Sequence, residues 1–139
     1  MKETVKITWL YGISFEADVS GYKITLDADP DSGGQKKGPK PKPLMLVALA
    51  GCTGMDIVSL LNKMRVNFEK LNITVEGNTA DDHPKKFLNA KIIYELTGKN
   101  IDRSKVDKAV SLSQEKYCSV SASYRASMAI TYEIRIKEE

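Results

Sequence analysis

Apolar and polar positions alternate through the first 26 residues of the chain. Val5, Ile7 and Trp9 are spaced by Lys6 and Thr8; Ile13, Phe15, Ala17 and Val19 alternate with polar partners; Tyr22, Ile24 and Leu26 continue the pattern. A period of two places every second side chain on one face of a strand. Tyr11-Gly12 and Ser20-Gly21 punctuate the run, and the short spacing predicts three strands in an antiparallel meander. From Asp29 to Pro43 the pattern stops. Prolines 30, 39, 41 and 43 and glycines 33, 34 and 38 are mixed with Lys36, Lys37, Lys40 and Lys42, which reads as a long basic loop. The phosphate-cradling pattern GxxxxGK[ST] is absent from it.

The next segment predicts a helix over Leu44–Phe68. Leu44, Val47, Ala48, Gly51, Cys52, Met55 and Ser59 lie on one side, and Leu46, Leu49, Thr53, Ile57, Leu60 and Met64 line another. A helix apolar on nearly all sides is expected to be enclosed by protein. A bilayer span is the weaker reading, because Asp56 stands near its middle. Leu71–Gly77 and Phe87–Gly98 follow as strands, separated by a polar loop that holds His83-Pro84. Leu88, Ala90, Ile92, Tyr94 and Leu96 share one face of the longer strand. Asp102 is a natural N-cap for a helix running to Glu115, with Val106, Ala109, Val110 and Leu112 inward. Tyr117–Ser123 is small and polar, and Met128–Ile136 closes as a strand. The order βββ–α–ββ–α–β is an α+β pattern. The expected architecture is antiparallel sheets packed around a central buried helix, in one domain covering residues 1–139.

Composition narrows the function classes. The 139 residues are 42% hydrophobic and 28% charged, ordinary for a globular domain. The 21 Lys plus Arg exceed the 18 Asp plus Glu by a net charge of +3, and no basic stripe interleaved with aromatics accompanies them, so nucleic acid is not an expected partner. Met1–Thr8 has no apolar core of a secretory signal, and a cytoplasmic location is expected. Two cysteines, Cys52 and Cys118, and one histidine, His83, do not match zinc-site spacing, so no metal and no cofactor are expected.

The candidate chemistry is sulfur chemistry. Cys52 stands in Gly51-Cys52-Thr53-Gly54 inside the apolar helix. Each glycine there costs about 1 kcal/mol relative to alanine, which implies a close approach by another helix, a partner chain or a substrate. A lone helical cysteine also serves simply as small packing. Cys118 lies among small polar residues and is expected to be accessible. Asp56, one turn after Cys52, is a candidate to hydrogen-bond within an interface, to cap a break at Gly54, or to serve as a catalytic or substrate-binding carboxylate; close to the sulfur its charge would oppose a thiolate.

These residues resemble a known family. Pro43-Leu-Met-Leu-Val-Ala-Leu-Ala-Gly-Cys-Thr-Gly-Met-Asp56, with the helix end Leu-Leu-Asn-Lys-Met-Arg65, looks like the first cysteine motif of OsmC/Ohr-type proteins. Leu112-Ser-Gln-Glu-Lys-Tyr-Cys-Ser119 looks like the second. The Asp-Asp-His-Pro84 loop and the three N-terminal strands also fit, and the form of the first motif is closest to the OsmC-like branch. The resemblance implies an OsmC-like fold in an intertwined homodimer with active sites at the subunit interface. It implies a thiol-dependent peroxidase acting on organic hydroperoxides. Cys52 is then the peroxidatic thiol, Cys118 the resolving thiol, and an external dithiol the reductant. The chain departs from the well-studied branches at two points. Lys42 occupies the position of their glutamate, ten residues before the first cysteine, and residues 1–64 contain no arginine. Lys42 is therefore the candidate cation for electrostatic support of the thiolate. The alternatives are a non-catalytic module that binds a hydrophobic ligand, favoured by the missing Arg and Glu, and a thiol redox sensor without turnover.

Overall fold

The computed structural model describes residues 1–139, which form two compact units, Met1–Met45 and Leu46–Glu139. In the first unit β1 (Lys6–Tyr11), β2 (Ser14–Val19) and β3 (Tyr22–Leu26) form an antiparallel sheet in that order, the expected meander. The β2–β3 hairpin closes with Val19 opposite Tyr22. Ser20 and Gly21 both take positive φ, at 53° and 89°, the geometry that two-residue hairpins favour. Asp18 accepts the Gly21 N–H at 2.8 Å and pairs with Lys23.

The stretch expected as a loop is tied down by Asp27. Its carboxylate accepts N–H groups from Ala28, Gln35 and Lys37 at 2.8–3.3 Å. Burial would raise the Asp27 carboxyl, but these three donors outweigh it and hold its pKa below the ordinary value. Gly34 lets the loop lie on β3's end, since an added Cβ would stand 2.0 Å from the Ala28 carbonyl oxygen. The buried side chains of this unit are few, Ser14, Ala17 and Asp27. Trp9 and Tyr22 are 62% and 78% exposed, so the chain alone leaves aromatic surface open.

Helix α1 spans Pro41–Lys63. It ends five residues before the expected boundary because Arg65 turns left-handed, with φ 58°, and the Val66 N–H closes onto the Leu61 carbonyl at 2.9 Å. Val66 is thereby buried against the helix it terminates. Beyond it β4 (Lys70–Thr79), β5 (Phe87–Gly98) and β6 (Ala129–Glu138) form the second sheet in that order. β4 and β5 are antiparallel. The last strand corrects the expectation of purely antiparallel sheets, since β6 pairs parallel to β5, with Ala90 opposite Ile130 and Tyr94 opposite Ile134. The cause is the connection. Helix α2 (Arg103–Leu112), a π-helical turn (Ser113–Tyr117) and helix α3 (Ser119–Tyr124) carry the chain back across the sheet, so β6 enters from the same end as β5.

The core lies between this sheet and the helices. Ala90, Ile92, Tyr94 and Leu96 on β5 meet Val106, Ala109 and Val110 from α2 and Leu49, Ile57 and Leu61 from α1. Leu88, expected on the same face, is 48% exposed near the strand's start. Asp102 caps α2 as expected, accepting the Ser104 N–H. The helix α1 is not enclosed on all sides by this chain. Leu49, Thr53, Ile57 and Leu61, spaced by four, form its buried stripe, whereas Val47 and Met55 are 61% and 78% exposed. By length and composition α1 also meets the requirement for crossing a membrane, with a mean hydropathy of 2.0.

Candidate functional site

The stripe that buries α1 fixes where Cys52 points. Thr53 is fully buried, so its neighbour Cys52 is turned to the margin of the core, half-buried. The second thiol comes from the crossover. The sequence run expected as an accessible turn is instead a helix start, and Cys118 caps it. Its sulfur accepts the Ser121 N–H at 3.4 Å, the part that a Ser or Asp oxygen commonly plays. Capping from inside the crossover buries the thiol, and Cys118 is only 3% exposed.

The two sulfurs are thus brought together. The Cys118 thiol donates a hydrogen bond to Cys52, and the Ser119 hydroxyl lies 3.8 Å from the Cys52 sulfur. Both cysteines are free thiols. Burial alone would raise the Cys52 pKa, and the nearby Asp56 charge adds to that. The Val120 backbone N–H, the Cys118 thiol and the Ser119 hydroxyl outweigh both, so the Cys52 pKa lies below that of an ordinary thiol. Cys118 goes the other way. Burial is the main cause, and the neighbouring Cys52 charge adds to it. The Ser121 hydroxyl and N–H relieve only part of the shift, and the thiol is held above the ordinary value. The two sulfurs are therefore displaced in opposite directions, Cys52 toward the thiolate and Cys118 toward the thiol.

Behind the sulfurs lies a buried polar network that ties four elements together. Thr53 Oγ1 stands 2.7 Å from the Tyr94 hydroxyl and 2.8 Å from Ser113 Oγ. Ser113 in turn donates to Asp56 at 2.8 Å. Gln114 Nε2 donates to Thr53 and to Tyr94, and Gln114 Oε1 accepts from Ser121 and Arg125. No buried side-chain nitrogen or oxygen lacks a partner. Enclosure pushes the Tyr94 phenol up to about 12, despite the hydrogen bonds it shares with Thr53 and Gln114.

Of the residues expected at the site, Cys52, Cys118 and Asp56 converge. Lys42 stands in the first turn of α1, within the first unit. The expectation of an accessible Cys118 is overturned by its capping role. Ser119, Gln114, Ser121 and Arg125 were not foreseen. The available signal was Cys-Ser-Val-Ser itself, a small cap residue followed by three positions able to begin a helix. No group of three or more His, Cys, Asp or Glu side chains is placed to hold a metal ion.

The glycines beside Cys52 do different work. A Cβ on Gly54 would stand 3.0 Å from Ile73 Cδ1, so this glycine admits β4; a Cβ on Gly51 would meet nothing within 4 Å. Gly51 instead opens onto a shallow groove of ≈ 880 Å³, whose walls include Val47, Met55, Val58 and Leu71.

Comparison with known proteins gives one family. The family model described as OsmC-like protein matches residues 33–133. Protein YhfA of Escherichia coli (strain K12) is 30% identical over 132 residues, 94% of this chain and 96% of its own length. A crystal structure of a hypothetical protein from Aquifex aeolicus VF5 superposes with a TM-score of 0.87 at 29% identity, covering 100% of this chain and 98% of that one. The organic hydroperoxide resistance protein OhrB of Bacillus subtilis has a TM-score of 0.68 at 16% identity, over 97% and 98% of the two chains; at that identity the likeness is one of fold.

Proposed function

Because this chain belongs to the OsmC-like family, we propose that it is a thiol-dependent peroxidase that reduces organic hydroperoxides through Cys52 and Cys118. The observation that carries the reading is the adjacency of two free thiols displaced in opposite directions, Cys52 toward thiolate and Cys118 toward thiol. A solved structure of the same fold is named for organic hydroperoxide resistance.

The steps balance with these two sulfurs. The Cys52 thiolate attacks the outer oxygen of the hydroperoxide, the O–O bond breaks, and the alkoxide leaves as an alcohol after taking a proton. Cys52 is now a sulfenic acid, oxidised by two electrons. Cys118 attacks that sulfur; hydroxide leaves and takes the Cys118 proton as water, and a disulfide remains. An external dithiol returns both sulfurs to thiols by exchange and becomes a disulfide itself. Keeping Cys118 protonated until Cys52 is oxidised prevents two neighbouring thiolates from competing. The donors at Ser119 and Val120 supply the anion stabilisation that an arginine gives elsewhere in the family.

The open apolar side chains of Trp9 and Tyr22 in the first unit, and of Val47 and Met55 in the second, support a homodimer in which a second copy covers them. Free thiols and a dithiol reductant suit the cytoplasm. The size and apolar walls of the groove favour one competing reading, a module that holds a hydrophobic ligand.

Hydroperoxide consumption with a dithiol reductant decides between them. Cys52→Ser abolishes turnover, and Cys118→Ser stops after one equivalent with Cys52 trapped as sulfenic acid. Equal consumption by wild type and Cys52→Ser overturns the peroxidase reading, and a co-purified apolar ligand in native mass spectra then supports the binding module.

A further inference from the structure

We infer that Gln114 is a positioning residue that holds Cys118 against Cys52 and thereby sets the rate at which the disulfide closes. Gln114 is 3% exposed and every hydrogen-bonding site of its amide is used. Nε2 donates to Thr53 Oγ1 at 3.1 Å and to the Tyr94 hydroxyl at 3.2 Å. Oε1 accepts from Ser121 Oγ at 2.8 Å and Arg125 Nη2 at 3.1 Å. Its backbone carbonyl accepts Arg125 Nη1 at 2.6 Å. A flipped amide would turn its NH₂ toward the guanidinium, so the arrangement has one orientation.

The four partners explain what this does. Thr53 adjoins Cys52 in the sequence, and Tyr94 stands on the central strand β5. On the other side, the Ser121 N–H holds the Cys118 sulfur, and Arg125 follows the end of α3. The amide therefore joins the segment carrying one sulfur to the segment carrying the other, with β5 as anchor. Gln114 also sits in the π-helical turn, where the Cys118 N–H reaches back to the Ser113 carbonyl at 2.7 Å. π turns are wider than α turns and recur at functional sites. Here the extra width lets Gln114 reach inward while Cys118 still begins α3. Displacing reacting atoms by about 1 Å slows reactions roughly a hundredfold. An amide that fixes both segments at once is placed to prevent such a displacement.

The inference rests on the two-thiol reading, but its test does not need a hydroperoxide. Diamide oxidises a dithiol by two electrons. The Cys52 thiolate adds to its N=N bond, Cys118 displaces the resulting hydrazine, and the two thiol protons end on that hydrazine. Closure is read by the loss of alkylatable thiols, and access to Cys52 by its rate of carboxamidomethylation. Gln114→Met keeps the volume and removes the polar contacts. Expected are carboxamidomethylation of Cys52 within about twofold of wild type and closure slowed about tenfold or more. Closure at the wild-type rate in a cooperatively melting Gln114→Met protein overturns the inference, and so does an equal slowing of both reactions. If Gln114→Met does not fold, Arg125→Met decides, because it removes the guanidinium from the Gln114 carbonyl and from Oε1 and leaves the groups that act on both sulfurs in place; slower closure supports the clamp and unchanged closure overturns it. A wild type that fails to close with diamide overturns it as well. A wild type that closes with diamide but consumes no hydroperoxide refutes the peroxidase reading alone, and the variant rates still decide the role of Gln114.

Discussion

Ser119 Oγ stands 3.8 Å from Cys52 Sγ, while Ser121, two residues on, holds the sulfur of Cys118. The first turn of one short helix thus serves both thiols. Ser119 and the Val120 N–H favour the anion on Cys52, and burial disfavours one on Cys118. Removing the hydroxyl with Ser119→Ala raises the Cys52 pKa toward the ordinary thiol range. The thiolate fraction near neutral pH falls, and Cys52 alkylation at pH 7 slows roughly two- to fivefold, the effect of one weak hydrogen bond. The pH profile of alkylation measures it; an unmoved profile assigns the stabilisation to Val120 and Cys118 alone.

Asp56 acts in the opposite sense. Its charge opposes the Cys52 thiolate, and its carboxylate accepts from Ser113. Asp56→Asn keeps an acceptor for Ser113 and removes the charge. The Cys52 profile then moves to lower pH, with faster alkylation below neutrality. A move to higher pH would mean that the lost order around Ser113 outweighs the lost repulsion.

Tyr94 couples the network to alkaline stability. Its phenol is raised from 10.0 to about 12 in the folded chain. Above pH 10 the unfolded chain releases that proton while the folded chain keeps it, so stability falls as pH rises from 10 toward about 12. Tyr94→Phe removes this part of the alkaline loss. At neutral pH the same substitution costs about 1–3 kcal/mol, because Thr53 and Gln114 lose a buried partner, and the melting temperature falls by roughly 3–8 °C. Denaturant melts of both proteins at pH 7, 10 and 11.5 test the two statements together.

The open face of α1 offers a separate test of assembly. Met55 is 78% exposed and points away from the core stripe. Met55→Lys places a charge on that face without touching the buried side. Sedimentation shows a dimer for wild type and a monomer for the variant if a second copy covers the helix. A wild type that sediments as a monomer removes the dimer from the proposal.

The sequence alone revealed the elements whose pattern is local. The strand holding Ile7 and Trp9, though not Val5, the face of Ala90, Ile92, Tyr94 and Leu96, and the Asp102 cap appear where periodicity and capping chemistry put them. The motifs around Cys52 and Cys118 carried the family and the pair of sulfurs. The rest depended on contacts distant along the chain. The end of α1 is set by the left-handed Arg65 and the burial of Val66, neither of which periodicity records. The helix after Cys118 was hidden because a thiol is an uncommon cap and Ser-Val-Ser reads as a turn. Gln114 could not be read as a hub, since its partners lie on α1, β5 and α3.

The parallel register of β6 on β5 bears on how the site matures. The strand that completes the sheet lies beyond α2, the π turn and α3, so its pairing cannot form until that whole crossover has been synthesised. A nascent chain on the ribosome consequently displays its first sulfur well before the second exists to meet it. Cys52 therefore spends part of translation without the groups that tune it, since Ser119 lies 67 residues further along the chain.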